Sequence, residues 1–241
     1  MDTKKMARRI REDLLSLGDE TLRSSTARFF REDIKCHGIR SAPVRKYGKM
    51  IVKEASGQRK EKIFELCELL WRGGYLEETF IACHLTESRA KEFEKADIRL
   101  FQHWVGSCVT NWASCDTFCN HSVAMLLDKY PENIGILKKE WVTSPNRWLR
   151  RGAAVSLVIP ARRGEYLEEV MEIASILLLD NDDLVQKGYG WMLKAASEFH
   201  RQEIFEFIMG RKDIMPRTAL RYGIEKMPPE MRKMVMDRAR G

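Results

Sequence analysis

Apolar residues recur at intervals of three and four along almost the whole chain. Ile63, Leu66, Cys67, Leu70 and Trp71 form one such stripe, and Leu167, Val170, Met171, Ala174, Leu177 and Leu178 form another. This is the period of a helix with one buried face. No segment shows the strict alternation of a half-buried strand. Turn-forming residues interrupt the pattern at Gly18-Asp19, Cys36-His37-Gly38, Gly73-Gly74, Tyr130-Pro131, Ser144-Pro145, Asp180-Asn181-Asp182 and Met227-Pro228-Pro229. They predict roughly a dozen helices of ordinary length with short connections, an all-α fold.

The pattern also repeats. The stretch WLRRGAAV at residues 148–155 aligns with LVQKGYGW at 184–191, 36 residues later, and each follows a helix and a polar turn. Each places a basic residue, Arg151 or Lys187, just before a glycine. A fainter echo begins at Pro216. Helix pairs at such a period predict an α-solenoid of HEAT-like antiparallel pairs, with equivalent basic residues along a concave groove. An irregular helical bundle with chance similarity is the alternative. No low-complexity tract or linker divides the chain, so residues 1–241 are expected to form a single domain. Residues 33–43 carry the longest unpatterned stretch, and Gly38-Ile39-Arg40 within it fits a structured turn rather than a boundary.

Charge changes this picture. The 241 residues include 42 Lys and Arg against 35 Asp and Glu, a formal charge of +7. That excess suits a polyanionic partner such as nucleic acid, although net charge alone does not say where the charge lies. No apolar run is long enough to cross a bilayer, and the N-terminal residues lack a signal-peptide core. The six cysteines are expected to be reduced thiols in a cytoplasmic protein.

The candidate chemistry centres on Trp112 and Asp116, four residues apart and therefore on one helical face. A carboxylate beside an aromatic ring is usually a cap or core pair. With a cationic intermediate nearby, it can stabilise an oxocarbenium-like sugar or orient the attacking water. Arg147, Arg150 and Arg151 surround Trp148 at a helix start and could clamp phosphate. Arg151 is assigned inward by its register with Lys187, whereas Arg150 reads as a solvated side chain. Gly188 and Gly190 flank Tyr189 before Trp191; they serve either tight helix packing or close approach of a ligand. Cys108, Cys115, Cys119 and His121 match no common metal spacing, and the cysteines share a core stripe. His37, His84, His103 and His200 show no ligand spacing. There is no phosphate-binding glycine loop or dinucleotide fingerprint, so no cofactor is expected.

Several motifs together resemble one family. They are Gly38-Ile39-Arg40, Pro43-Val44-Arg45-Lys46, Trp71, residues 77–83 (EETFIAC), Trp112 with Asp116, residues 148–154, residues 185–191 and residues 217–222 (RTALRY). In this order they resemble the DNA alkylation repair enzymes of AlkD type, alkylpurine DNA glycosylases built from HEAT-like repeats. The resemblance implies duplex DNA carrying N3- or N7-alkylated purines as substrate, no cofactor or metal, no membrane association, a monomer, and cytoplasmic location on the nucleoid. It implies catalytic roles for Asp116, Trp112, Trp191 and Arg151, and DNA contacts from Phe29, Arg45, Lys46, Arg147, Arg150, Lys187 and Arg217. Phe29 stands where the family typically has tyrosine, so no hydroxyl contact is available there. It further implies that the lesion is held through its backbone, without a base-flipping pocket. A non-catalytic DNA-binding relative and a HEAT-type protein scaffold are the competing functions.

Overall fold

The computed structural model describes residues 1–237, and among them the fold is all-α. Two compact units divide the chain, residues 1–122 and 123–241. The first holds α1 (Thr3–Leu17), α2 (Glu20–Phe29), α3 (Ser41–Glu54), α4 (Lys60–Gly73), α5 (Leu76–Glu87), α6 (Asp97–Ser107) and α7 (Trp112–Phe118). A π-helical turn, Cys119–Val123, continues α7 into α8 (Ala124–Lys129). The second unit continues with α9 (Ile134–Ile136), extended by the π-helical turn Leu137–Trp141, and then α10 (Arg147–Val155), α11 (Val158–Arg162) and α12 (Leu167–Ile176). It ends with α13 (Asp183–Ala196), α14 (Arg201–Met209), α15 (Arg217–Gly223) and α16 (Pro229–Met236). The α-helical pieces of the described residues exceed the expected dozen, in part because the first π turn divides α7 from α8 within one continuous helical stretch. Among the described residues no helix is long and apolar enough to cross a membrane.

The expected breaks have physical causes. Gly74 ends α4 in the left-handed conformation at φ 73°, which glycine adopts without strain. The side chains of Asp19, Asn111, Asn146 and Asp182 accept hydrogen bonds from backbone N–H groups in the first turns of α2, α7, α10 and α13. These groups have no partner inside the helix, so the acceptors fix where each helix begins.

The repeat is more regular than the two aligned stretches suggest. The cap residues of α3, α5, α7, α10, α13 and α15 are 40, 75, 111, 146, 182 and 216, at intervals of 34 to 36 residues. Successive members pack on one another within each unit: α3 on α5 and α5 on α7 in the first, α10 on α13 and α13 on α15 in the second. The glycines before Trp191 belong to this packing. A Cβ on Gly190 would lie 2.7 Å from Tyr222 Cβ and 2.9 Å from the Ala219 carbonyl oxygen. Helix packing, rather than close approach of a ligand, therefore accounts for Gly190.

Aromatic side chains fill the core of the first unit. Phe118 meets Trp71, Phe101 and Trp104 at centroid distances of 5.4, 5.1 and 5.8 Å. All six cysteines are buried free thiols. Burial holds the thiols of Cys36, Cys83 and Cys108 above the usual range and pushes Cys67 up to about 12.

Candidate functional site

Helix α7 presents opposite faces to core and solvent. Ser114, Cys115 and Phe118 are buried, while Trp112 and Asp116 are partly exposed. The Asn111 side chain accepts from the Ser114 amide at 2.9 Å, and the Ser114 hydroxyl pairs with the buried Thr79 hydroxyl at 2.7 Å. These bonds and the Phe118 plug fix the helix rotation. The Trp112 and Asp116 side chains consequently share the outward face, one turn apart.

Trp112 rests on an aromatic platform. Its ring stacks on Phe30 at 5.4 Å and meets the edge of Phe29 at 6.1 Å. Beneath lie Phe30, Ile34, Cys36 and Leu76, with Phe80 and Ala113 alongside. Phe29 is 71% exposed. An aromatic ring left in water beside a fixed tryptophan is available for contact with a ligand. Phe30, which the family resemblance did not mark, is the residue that orients Trp112; the Phe29-Phe30 doublet was its only sequence signal.

The unpatterned stretch before α3 is indeed a structured turn. The Glu77 carboxylate accepts from the backbone amides of His37, Gly38 and Ile39 at 2.8, 2.9 and 3.1 Å. Gly38 has φ 81°, and a Cβ there would lie 2.3 Å from the Asp19 carbonyl oxygen. The neighbouring Glu78 carboxylate binds the Arg11 guanidinium at 2.7 and 2.8 Å and His37 Nε2 at 3.2 Å. Burial raises the Glu78 pKa, but the Arg11 and His37 hydrogen bonds outweigh it and leave the carboxyl below its ordinary value. Both glutamates are buried, so Glu77 and Glu78 contribute structure beneath the site rather than chemistry at it.

The second unit contains Arg147, Arg150, Arg151, Lys187, Trp191 and Arg217. Arg147 Nε lies 2.7 Å from Asp182 Oδ2, with its guanidinium over Trp148. Arg150 is not a solvated side chain. It pairs with Asp180 at 2.6 Å and donates to the Ser144 and Pro145 carbonyls at 2.9 and 3.0 Å. Lys187 pairs with Asp183 at 3.0 Å. Arg151 is buried, donates to the Leu184 carbonyl, and lies against Gly188, where a Cβ would stand 3.2 Å from its Cγ. Trp191 is partly exposed on α13, and Arg217 is exposed at the start of α15. In the first unit Arg45 and Lys46 are exposed on α3.

The cap register sets these residues in order. The fifth residue beyond each cap is Arg45, Phe80, Asp116, Arg151, Lys187 or Arg221 in turn. Four of the six positions are basic, and Asp116 is the single acid among them. A carboxylate at a position mostly used for cations is chemically distinct from a scattered surface acid.

A second feature of the first unit was not read from sequence. A cavity of about 420 Å³ is lined by Ser41, Val44, Arg45, Phe80, His84, Glu87, Thr117 and His121. Metal-ligand spacing gave no reason to join His84 to His121. The repeat places them at the ninth and tenth positions beyond their caps. Among the described residues no group of three or more His, Cys, Asp or Glu could hold a metal.

A family described as DNA alkylation repair enzyme matches residues 10–227 of the chain. A solved structure described as a predicted DNA alkylation repair enzyme from Enterococcus faecalis matches with a TM-score of 0.79 at 16% identity, covering 88% of this chain and 97% of the other. At that identity the likeness establishes a common helical fold. A comparison with curated proteins gives no match.

Proposed function

Because the chain belongs to the DNA alkylation repair enzyme family, we propose that it is a DNA glycosylase hydrolysing the N-glycosidic bond of N3- or N7-alkylated purines in duplex DNA. The observation that carries this reading is Asp116: partly exposed, one turn from Trp112, and acidic where the other repeats are mainly basic. An alkylated purine already bears positive charge and leaves without an added proton. As its bond to C1′ lengthens, positive charge moves onto the deoxyribose, where a fixed carboxylate is stabilising. Water then adds at C1′ and loses its proton, giving the free alkylpurine and an abasic sugar. Trp112 and Phe29 offer faces and edges to the cationic nucleotide.

DNA contacts are assigned first to Arg45, Lys46 and Arg217, which are exposed. Arg147, Arg150 and Lys187 already have carboxylate partners, so they contribute less net charge to a phosphate. Trp191 and Arg151 are proposed to contact the same DNA from the second unit. Burial makes Arg151 first a tie between α10 and α13. Such an enzyme needs no nucleobase slot, because the lesion is held through its sugar and backbone, and it needs no metal or cofactor.

The test is release of 7-methylguanine from methylated duplex DNA by wild type and Asp116→Asn. A carboxylate about 4 Å from a full sugar cation, at an effective dielectric near 20, is worth about 4 kcal/mol. The variant should therefore lose up to about 10³-fold in rate while retaining duplex affinity. Release at the wild-type rate would remove Asp116 from the chemistry. No release by wild type would favour a DNA-binding relative without catalysis.

A further inference from the structure

We propose that the cavity lined by Ser41, Arg45, His84, Glu87, Thr117 and His121 holds a backbone phosphate of the DNA, with affinity governed by protonation of the two histidines. Three helical segments supply the lining, each with residues four apart and hence on one face: Ser41 and Arg45 on α3, Phe80 and His84 on α5, and Thr117 and His121 on α7 and its π turn. The Ser41 hydroxyl, a guanidinium and two imidazoles are donors suited to phosphate oxygens. Ser41 and Arg45 are exposed, so the cavity opens to solvent and a polymer can reach it.

The guanidinium and imidazole donors are uncommitted, whereas the Thr117 hydroxyl donates to the Ala113 carbonyl at 2.7 Å. Among the described residues no hydrogen bond or ion pair engages Arg45, His84 or His121, in contrast to Arg147, Arg150 and Lys187. The His84 ring is seated against Gly48, where a Cβ would lie 2.7 Å from its Cδ2; any larger residue would displace it. Burial, then Arg45, His121 and Lys49, hold His84 below its ordinary pKa, against the opposing effect of Glu87. The charged groups around the ring are thus Arg45 and Lys49 from α3, Glu87 from α5 and His121 from the π turn. With both histidines neutral, Arg45 and Lys49 exceed Glu87 by one positive charge; with both protonated, the excess is three. A phosphate relieves that repulsion, and by linkage its binding must raise the histidine pKa values.

Position favours DNA over a free anion. Thr117 directly follows Asp116 in α7, so a phosphodiester held here lies beside the face that carries Trp112 and Asp116. The site rests on the DNA-acting reading above, yet undamaged DNA suffices to test it.

The experiment is a histidine-ring NMR titration of the full chain between about pH 6 and about pH 8, with His84→Asn and His121→Asn identifying the signals. It is run at constant ionic strength with no added anion, with inorganic phosphate, and with a short undamaged duplex. The duplex is expected to raise both midpoints by about half a unit or more, at concentrations well below those needed with inorganic phosphate. Arg45→Met should abolish both shifts. Duplex affinity should rise about tenfold from pH 8 to pH 6, and its salt dependence should steepen by about one phosphate. Both changes should vanish in the His84→Asn/His121→Asn double variant. A duplex that binds without moving either midpoint overturns the site, as does a response to inorganic phosphate alone. A wild-type rate for Asp116→Asn would leave these shifts untouched, so failure of the chemistry and failure of the phosphate site are separable.

Discussion

Replacing Glu77 by glutamine tests whether the site depends on the buried turn beneath it. The carboxylate accepts three backbone amides, from His37, Gly38 and Ile39, and it is fully enclosed by the first unit. Glutamine has the same shape but only one acceptor oxygen. If that oxygen stays on Gly38 and Ile39, the new amide nitrogen faces the His37 N–H, donor against donor. The lost charge weakens the two remaining bonds, and the orphaned donor costs about 1–3 kcal/mol. Together these give about 3–5 kcal/mol, a large share of the ~5–15 kcal/mol that holds a domain folded. With a urea slope of about 2 kcal/mol per molar, the unfolding midpoint of the first unit should fall by about 2 M. Circular dichroism and the fluorescence of Trp71, Trp104 and Trp112 are the probes. Base release should fall as well, because Ile34 and Cys36 on the same segment underlie Trp112. A midpoint within about 0.3 M of wild type would mean that the three hydrogen bonds do not hold the turn.

Two further outcomes follow from the packing and charge described above. Gly190→Ala should destabilise the second unit by about 1–3 kcal/mol, since the new methyl meets the Ala219 backbone at 2.9 Å; a thermal melt unchanged from wild type would contradict that contact. Glu78 has a folded pKa below its ordinary value, so its contribution is complete above about pH 4.3 and is lost as pH falls through the folded value. Acid unfolding of the first unit should therefore be shallower in Glu78→Gln than in wild type, and equal slopes would place the acid sensitivity elsewhere.

Much of the fold is legible because local chemistry and periodicity agree. Asp19, Asn111, Asn146 and Asp182 each stand just before an apolar-periodic run and each caps a helix. The interval between the 148–155 and 184–191 stretches gave the repeat for the whole chain. Pairing was not legible. Arg150 and Asp180 are 30 residues apart, and nothing in a helical face says whether an arginine meets water, DNA or a carboxylate from a later loop. Glu77 was visible only as part of a motif, because a buried acceptor for three amides depends on a turn some 40 residues earlier. The spacing of Trp112 and Asp116 gave their shared face, but Phe30 and the His84–His121 cavity needed tertiary contacts that no helical period encodes.

The buried thiols have a chemical consequence. An enzyme of alkylation repair works where small electrophiles are present, and the group in a protein that reacts with them fastest is the thiolate. With its thiol pushed up to about 12, Cys67 is ionised at neutral pH in only about one molecule in 10⁵. The other five cysteines are also enclosed, three of them with raised pKa values. Helix α7 can therefore carry Cys115 on its buried face, opposite Trp112 and Asp116, without offering such an electrophile an accessible nucleophile.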